Sequence, residues 1–207
     1  LRPQGMEPLA LVFGEALHNA LPLCYAGDLQ GALVRFKKIW GDRDSLGDTK
    51  RNCVRAADMM LSFMNSHKGS QSIYTLIPPP PNAPEIEDRI SPYEIAFSLD
   101  IGIDVPVVGR IDGSGTHRDT GELWGVEFKT SSQLSTMFMN SFNLSPQVIT
   151  YTLALSTMTE VPVKGVFIEG LLVAAKSTNT LTMPIYVQHS MLEDVVTWIR
   201  LQYAEIL

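Results

Sequence analysis

Two short stretches of the sequence decide the fold, Val107-Val-Gly-Arg-Ile-Asp112 and Gly125-Val-Glu-Phe-Lys-Thr130. In both, residues of like character recur at every second position, which is the period of a β-strand. We expect the first strand to span residues 105–112 and to end in a turn at residues 113–115, where the sequence is Gly-Ser-Gly. We expect the second strand to span residues 122–130.

The second strand has two faces of different character. Trp124, Val126 and Phe128 share one face, which we expect to be buried in the core. Glu127 and Lys129 share the other face. If a helix covers that face as well, both charges are buried and need partners, because an isolated buried charge is costly.

The oxygen atoms around Glu127 form a candidate metal site. Asp112 ends the neighbouring strand and supplies a second carboxylate beside Glu127, and the backbone carbonyl of Phe128 is a third donor. Hard oxygen ligands of this kind suit Mg²⁺ or Mn²⁺. Lys129 would then hold or activate the water that attacks a phosphodiester, or neutralise charge in the transition state. The alternative is a surface hairpin with an incidental ion pair.

Helices and strands are also predicted on either side of these stretches. In the first third, apolar residues repeat with the helical period, and Asp28 and Asp48 stand where side chains cap helices. The prolines at residues 78–81 predict a stiff, extended connector. The predicted helices cover residues 8–21, 28–40, 48–67, 144–158 and 191–203, and the further strands cover residues 95–99, 163–175 and 181–188.

Composition excludes several classes of protein. The chain has 207 residues, of which 45% are hydrophobic and 18% charged, as expected for one globular domain of ordinary size. The formal net charge of -6 argues against a basic coat protein for nucleic acid. The two cysteines exclude a disulfide framework and a four-cysteine metal site. No signal peptide or membrane-spanning run is recognisable, and we expect a reducing, cytoplasmic compartment.

Basic residues concentrate between positions 35 and 55. Seven of the sixteen lysines and arginines lie in this window, against three aspartates. The block is either a solvated helix face or a surface that contacts DNA phosphates. Arg110 likewise either touches DNA or pairs with a carboxylate. The candidate DNA contacts are Arg35, Lys37, Lys38, Lys50, Arg51 and Arg110.

Five motifs, in this order, resemble the signature of the PD-(D/E)XK nuclease superfamily, in its RecB-like exonuclease branch. They are Gly14-Glu-Ala-Leu-His18, Glu94, Val-Val-Gly-Arg-Ile-Asp112, Glu127-Phe-Lys129-Thr130 and Gln147-Val-Ile-Thr-Tyr151. The resemblance implies that His18 is a metal ligand and that Glu94 is a further candidate ligand. It also implies that Gln147 and Tyr151 belong to the catalytic site. Some relatives bind an iron–sulfur cluster through late cysteines, and because no cysteine follows Cys53 here, none is expected.

The resemblance also implies the fold class and the function. The fold would be α/β, a restriction-endonuclease-like core with a mixed central β-sheet flanked by helices. A single domain would cover residues 1–207, with a mainly helical N-terminal part at residues 1–77 and the sheet core at residues 85–207. The protein would be a divalent-metal-dependent DNA nuclease, specifically an exonuclease, active in DNA recombination, repair or phage DNA processing.

DNA, single-stranded or as an end-bearing duplex, would be the substrate, and a helicase or a recombination protein a partner. The compartment would be the cytoplasm of a bacterium or of a phage-infected host. Two alternatives stay open: a catalytically silent domain of the same fold that binds DNA or a helicase, and a metal-binding structural domain. Phe138 and Phe142 either stack on bases or belong to the core, and we favour the core.

Overall fold

The computed structural model describes residues 8–68, 71–87 and 91–206 of the chain. The N-terminal residues that bear on a signal peptide therefore lie partly outside the described residues. The chain divides into two compact units. The first contains the described residues up to Ser72 together with Phe128–Leu134 and Gly170–Leu181, and the second contains the remaining described residues.

Within its described residues, the first unit contains three α-helices, as predicted for this part of the chain. They are α1 (Leu9–Tyr25), α2 (Leu29–Trp40) and α3 (Cys53–Ser66). The ring of Phe13 on α1 meets the rings of Phe36 and Trp40 edge-on, with centroids 5.5 and 5.3 Å apart. Edge-on aromatic pairs add to the energy of burial, so this cluster holds α1 against α2.

The start of α3 differs from the prediction. The carboxylate of Asp48 accepts hydrogen bonds from the backbone N–H groups of Lys50 and Arg51, at 2.8 and 3.1 Å, and closes a local turn instead of capping a helix. Asn52 takes the capping position, where its side-chain oxygen accepts from the backbone N–H of Arg55 at 2.9 Å. Asp48 and Asn52 both suit a cap, so residue type alone does not separate them.

Strands and further helices follow. In the part of the chain that the structure describes, a five-stranded mixed sheet has the order β1-β4-β5-β6-β7, and β2 pairs antiparallel with β3 in a second sheet. The strands are β1 (Tyr74–Ile77), β2 (Ile95–Leu99), β3 (Val107–Ile111), β4 (Gly113–His117), β5 (Leu123–Ser131), β6 (Val163–Leu172) and β7 (Thr180–Tyr186). The helices are α4 (Thr136–Asn140), α5 (Pro146–Thr159) and α6 (His189–Ile206). Within the described ranges, no helix is long and apolar enough to cross a bilayer.

The turn predicted at residues 113–115 is wrong. These residues belong to β4, which pairs with β1 on one side and with β5 on the other. A β-carbon at Gly115 would lie 2.8 Å from the carbonyl oxygen of Thr75 and 2.9 Å from the ring of Tyr74. Glycine here allows two strands to approach closely, a use that the sequence does not distinguish from a turn.

Besides β4, the strand β1 and the short helix α4 have no counterpart in the sequence-based prediction. In β1, buried Tyr74 and Leu76 flank exposed Thr75, but four residues are too few for a period to stand out. β1 also lies at the end of the part that we expected to be mainly helical. At the edges of the five-stranded sheet, Pro184 lies within β7 and Pro78 directly follows β1.

The core of the second unit contains the apolar face predicted for β2. Ile95, Phe97 and Leu99 are buried together with Leu155 of α5. A separate row of aromatic rings runs across the sheet, with the centroid of Phe167 lying 4.5 Å from that of Trp124 and 5.0 Å from that of Tyr74. The apolar face predicted for β5 is also buried, at Trp124, Val126 and Phe128.

We expect Gly165→Ala on β6 to destabilise the protein by more than about 3 kcal/mol, because the backbone must move. Gly165 has a φ of 150°, and a β-carbon there would collide with the carbonyl oxygen of Ile185. Gly121→Ala is the matched control, since its φ is 69° and nothing lies within 4 Å, so only the conformational cost of about 1–2 kcal/mol applies. Urea denaturation compares the two. Equal stability losses would contradict this reading of β6.

Candidate active site on strand β5

Asp112 stands at the junction between the two sheets of the second unit. It follows β3, which pairs with β2, and it precedes β4, which belongs to the five-stranded sheet. In the β2–β3 pair, Ile111 lies opposite Ile95. One position further along, the same register brings Asp112 level with Glu94.

The second register brings Asp112 level with Glu127. In the β4–β5 pair, Gly113 lies opposite Val126. Because the strands are antiparallel, Asp112, which precedes Gly113, is level with Glu127, which follows Val126. Residues directly opposite in an antiparallel ladder have β-carbons about 4.5–5.5 Å apart. Backbone pairing in the second unit therefore directs Glu94, Asp112 and Glu127 towards one region.

Glu127 is buried, with 5% of the residue exposed. Gln147 Nε2, on α5, donates a hydrogen bond to Glu127 Oε1 at 3.0 Å and another to the Tyr151 hydroxyl oxygen at 2.8 Å. Gln147 and Tyr151 lie one helical turn apart and so share a face of α5. This helix covers the face of β5 that carries Glu127, which is the condition under which its charge needs a partner.

The hydroxyl group of Tyr151 is affected by both carboxylates. Its pKa is raised to about 12, first by burial and then by the negative charge of Glu127, with a smaller contribution from Asp112, while the hydrogen bond from Gln147 acts in the opposite direction. Asp112 and Glu127 therefore lie close enough to influence one hydroxyl group. With this pKa, Tyr151 keeps its proton at neutral pH and is a neutral hydrogen-bonding group.

In the first unit, helix α1 lies against the end of β5. A β-carbon at Gly14 would lie 3.2 Å from Thr130 Oγ1. One turn later, the ring of His18 meets the ring of Phe128 edge-on, with centroids 6.3 Å apart. Four residues of a helix rise about 6 Å and two residues of a strand about 6.6 Å, so the two steps match. Gly14 and His18, four apart on α1, thus lie beside Thr130 and Phe128, two apart on β5.

His18 is half-buried beside Phe128, whose carbonyl oxygen is a predicted ligand. The Phe128 side chain is buried, and its ring also meets that of Phe63 on α3, with centroids 5.8 Å apart. Lys129 is half-buried and lies two residues beyond Glu127 on the same strand, so both side chains project from the same face. Coordination of a metal by His18 stays a prediction.

Glu94 and Arg110 form a loose ion pair. Arg110 Nη1 lies 3.5 Å from Glu94 Oε1, and the arginine side chain is 51% exposed. Pairs of this kind contribute little to stability. Of the two alternatives for Arg110, pairing with a carboxylate is observed, and contact with DNA stays a prediction.

The other predicted DNA contacts lie in the first unit. Two of them pair with aspartates: Arg51 Nη1 lies 3.0 Å from Asp48 Oδ2, and Lys37 Nζ lies 3.6 Å from Asp42 Oδ1. Lys38 and Lys50 are exposed. The candidates on α2 are Arg35, Lys37 and Lys38, and those in the segment before α3 are Lys50 and Arg51.

The donor set around Glu127 suits a hard divalent cation in part. Asp112 and Glu127 both raise the pKa of the Tyr151 hydroxyl group. Glu127 is buried, and a cation there would offset its charge. However, among residues 8–68, 71–87 and 91–206, no group of three or more His, Cys, Asp or Glu side chains is arranged to hold a metal ion. An open site with one or two carboxylates is typical of Mg²⁺, which keeps several waters.

Sequence reasoning passed over two further residues. Thr130 entered only as the end of a motif, although its hydroxyl oxygen faces the space that a side chain at Gly14 would fill. Glu169 on β6 is 1% exposed. A single glutamate within the apolar run Val166-Phe-Ile-Glu-Gly-Leu-Leu172 was the available signal.

Phe138 and Phe142, for which core and base-stacking roles were both open, are half-buried. Their rings meet edge-on with centroids 5.1 Å apart. Phe142 also packs against a buried cluster that includes Val148 and Val166. The preference for a core role therefore holds in part, at Phe142.

We expect the stability of Tyr151→Phe to fall less steeply than that of the wild type between about pH 10 and pH 12. The folded pKa of Tyr151 is about 12, whereas an unfolded tyrosine has a pKa of about 10, so the unfolded chain releases this proton first as the pH rises. The contribution of protonated Tyr151 to the free energy of unfolding is complete below the unfolded pKa and is lost as the pH rises through the folded pKa. Denaturation over this range measures both slopes, with Tyr203→Phe on α6 as control. Parallel slopes in all three proteins would refute the expectation.

Comparisons with known proteins bear on the fold. No family model matches the chain, and no curated protein matches it. Among solved structures, the chain is similar to the crystal structure of a "Putative exonuclease" from Eubacterium rectale, with 12% identity and a TM-score of 0.56, over 99% of this chain and 68% of that one. At this identity the likeness shows the fold alone. It confirms the predicted fold class, a mixed α/β architecture consistent with a restriction-endonuclease-like core.

Proposed function

We propose that this protein is a divalent-metal-dependent DNA nuclease that hydrolyses phosphodiester bonds. The observation that carries the proposal is the position of Asp112 between two ladders, one residue beyond the pair Ile95–Ile111 and one residue before the pair Gly113–Val126. Carboxylates held together by backbone pairing repel one another, and a cation relieves that repulsion. The name of the structural neighbour, an exonuclease, favours phosphodiester hydrolysis over other reactions of metal sites.

In this proposal, Asp112, Glu127 and the Phe128 carbonyl hold Mg²⁺ or Mn²⁺, with His18 and Glu94 as further candidate ligands. The ion supplies positive charge beside the phosphate under attack. No cysteine ligand is required, and an iron–sulfur cluster is not part of the proposal.

The protein's own groups have separate tasks. Gln147 holds the Glu127 carboxylate in one orientation through its 3.0 Å hydrogen bond. Lys129 stabilises the negative charge that builds up on the phosphate oxygens, or holds the attacking water. Tyr151 is a neutral hydrogen-bonding group beside Gln147 rather than a base, since its pKa is about 12.

The finer proposal is that the enzyme degrades DNA from its ends, in recombination, repair or phage DNA processing in the cytoplasm. A helicase or a recombination protein is the proposed partner. Support comes from the motifs that resemble RecB-like exonucleases and from the name of the structural neighbour.

A second candidate is a catalytically silent domain that binds DNA or a helicase. It is favoured by one observation, that the described residues contain no ready-formed group of three metal-ligating side chains. A metal-binding structural domain is the remaining alternative. Digestion of end-labelled linear DNA, single- and double-stranded, with Mg²⁺, Mn²⁺ or EDTA separates all three.

We expect Lys129→Ala and Asp112→Asn each to lower the rate of cleavage by about 100-fold or more, with the fold intact. The reason is loss of the charge-stabilising group or of a metal ligand. The matched controls are Lys164→Ala and Asp100→Asn, at exposed positions of the second unit, which should keep wild-type rates. Thermal melting checks the fold. Near-wild-type activity of either site variant would reject the assignment of the site.

The basic block of the first unit should contribute to DNA affinity through phosphates. Changing Lys37, Lys38, Lys50 and Arg51 together to alanine should reduce the slope of log K against log salt by up to about 3 on single-stranded DNA and about 3.6 on duplex DNA. Fluorescence anisotropy of a labelled oligonucleotide in EDTA measures this slope. Lys164→Ala with Lys176→Ala is the control pair. An unchanged slope would assign the block to a solvated face.

The requirement for a free end has its own test. Linear DNA should be degraded progressively, while covalently closed circles of the same sequence should survive at matched enzyme and Mn²⁺. No module for reading a base sequence is recognisable in the motifs, so the shape of the substrate would have to provide specificity. Rapid nicking of closed circles would reject the exonuclease proposal and leave the metal site standing.

A further inference from the structure

A cavity of about 370 Å³ lies in the first unit, where helices α1 and α3 end. Its lining includes the aromatic side chains of Tyr25 and His67 and the polar side chains of Asn65 and Lys68. Leu61 adds apolar surface. This volume and this mixture of apolar and polar groups are typical of sites for small molecules.

One wall of the cavity is aromatic and well supported. The ring of His67 stacks on that of Phe63, with centroids 4.1 Å apart and 30° between the planes. The ring of Tyr25 meets that of His67 at 61°, with centroids 5.8 Å apart. Phe63 packs in turn against Phe128. Rings held in place in this way suit a flat aromatic ligand, and nucleobases stack on aromatic side chains of this kind.

The hydrogen-bonding groups of the cavity match the edges of a nucleobase. His67 Nδ1 lies 2.9 Å from the carbonyl oxygen of Phe63 and 3.1 Å from Ser66 Oγ, so the ring is held in place by its own helix. The amide of Asn65 has both donors and an acceptor. A nucleobase likewise presents donors and acceptors side by side.

The charge around the cavity favours a base over a bare anion. α1 ends at Tyr25 and α3 ends at Ser66, and the C-terminus of a helix carries partial negative charge. Burial raises the pKa of the Cys24 thiol, which also lines the cavity, to about 12, so this group is uncharged. Lys68 is exposed and supplies a cation for a phosphate attached to the base.

The cavity lies about two helical turns along α1 from His18. Tyr25 follows His18 by seven residues, which is close to two helical turns, so both lie on the same face of the helix. The separation along the axis is about 10 Å, or roughly three base steps of 3.4 Å.

We propose that this cavity binds a nucleobase of the DNA strand, stacked against Tyr25 beside His67 and hydrogen-bonded by Asn65, with Lys68 at the attached phosphate. The inference rests on the proposed function, because a nuclease substrate is what would bring nucleobases to α1. It assigns to the first unit a role in holding the strand away from the bond that is cut.

The test is binding of deoxyadenosine monophosphate in EDTA, followed by the imidazole proton signals of the four histidines. Deoxyadenosine monophosphate and deoxyadenosine should both shift the His67 signals, whereas inorganic phosphate should not. Tyr25→Ala should weaken binding of the nucleotide about tenfold, the equivalent of one stacked base, and Tyr25→Phe should not. Lys68→Ala should weaken binding of the nucleotide but not of the nucleoside.

A control variant and two contrary outcomes complete the test. Tyr203→Ala, in the second unit, should leave binding unchanged. A His67 response to phosphate alone would make the cavity an anion site and overturn the proposal, as would no response to the nucleotide. Because no cleavage occurs in EDTA, binding without any nuclease activity in Mn²⁺ would reject the proposed function and keep the cavity, and cleavage without binding would do the reverse.

Discussion

The second unit is organised around the buried carboxylate of Glu127, which needs a polar partner. A charge in the interior needs hydrogen-bond donors or an opposite charge, and Gln147 provides one donor at 3.0 Å. α5 begins at Pro146, so Gln147 lies in its first turn, where the helix carries partial positive charge. The start of one helix is thus matched to the position of one carboxylate, and Tyr151 extends the same network by one turn.

Strand β5 uses its two faces for different purposes. One face carries Glu127 and Lys129, and the other carries Phe128, against which His18 and Phe63 pack. Four residues of a helix and two residues of a strand rise by nearly the same distance. A glycine and a histidine four apart on α1 therefore lie beside residues two apart on β5. Chemistry and packing therefore make independent demands on consecutive residues, and a substitution at one need not disturb the other.

Local pattern predicted the strands and helices whose signals are long or strictly periodic, such as β2, β5 and α6. It failed where one residue type serves two purposes: Gly113 and Gly115 allow close strand pairing instead of a turn, and Asp48 closes a turn instead of capping α3. The motifs named the residues of the candidate site, and the i, i+4 spacing placed Gln147 and Tyr151 on one face. The bond from Gln147 to Glu127 joins residues twenty positions apart, and no local pattern contains that information.

The prolines at the two edges of the five-stranded sheet affect how the protein behaves at high concentration. An edge strand offers unpaired N–H and C=O groups that a second chain can extend into an intermolecular sheet. Proline cannot donate a hydrogen bond, and both Pro184 within β7 and Pro78 directly after β1 interrupt such a template. The prolines at residues 78–81 directly follow an edge strand, and we therefore expect them to disfavour its extension by a second chain.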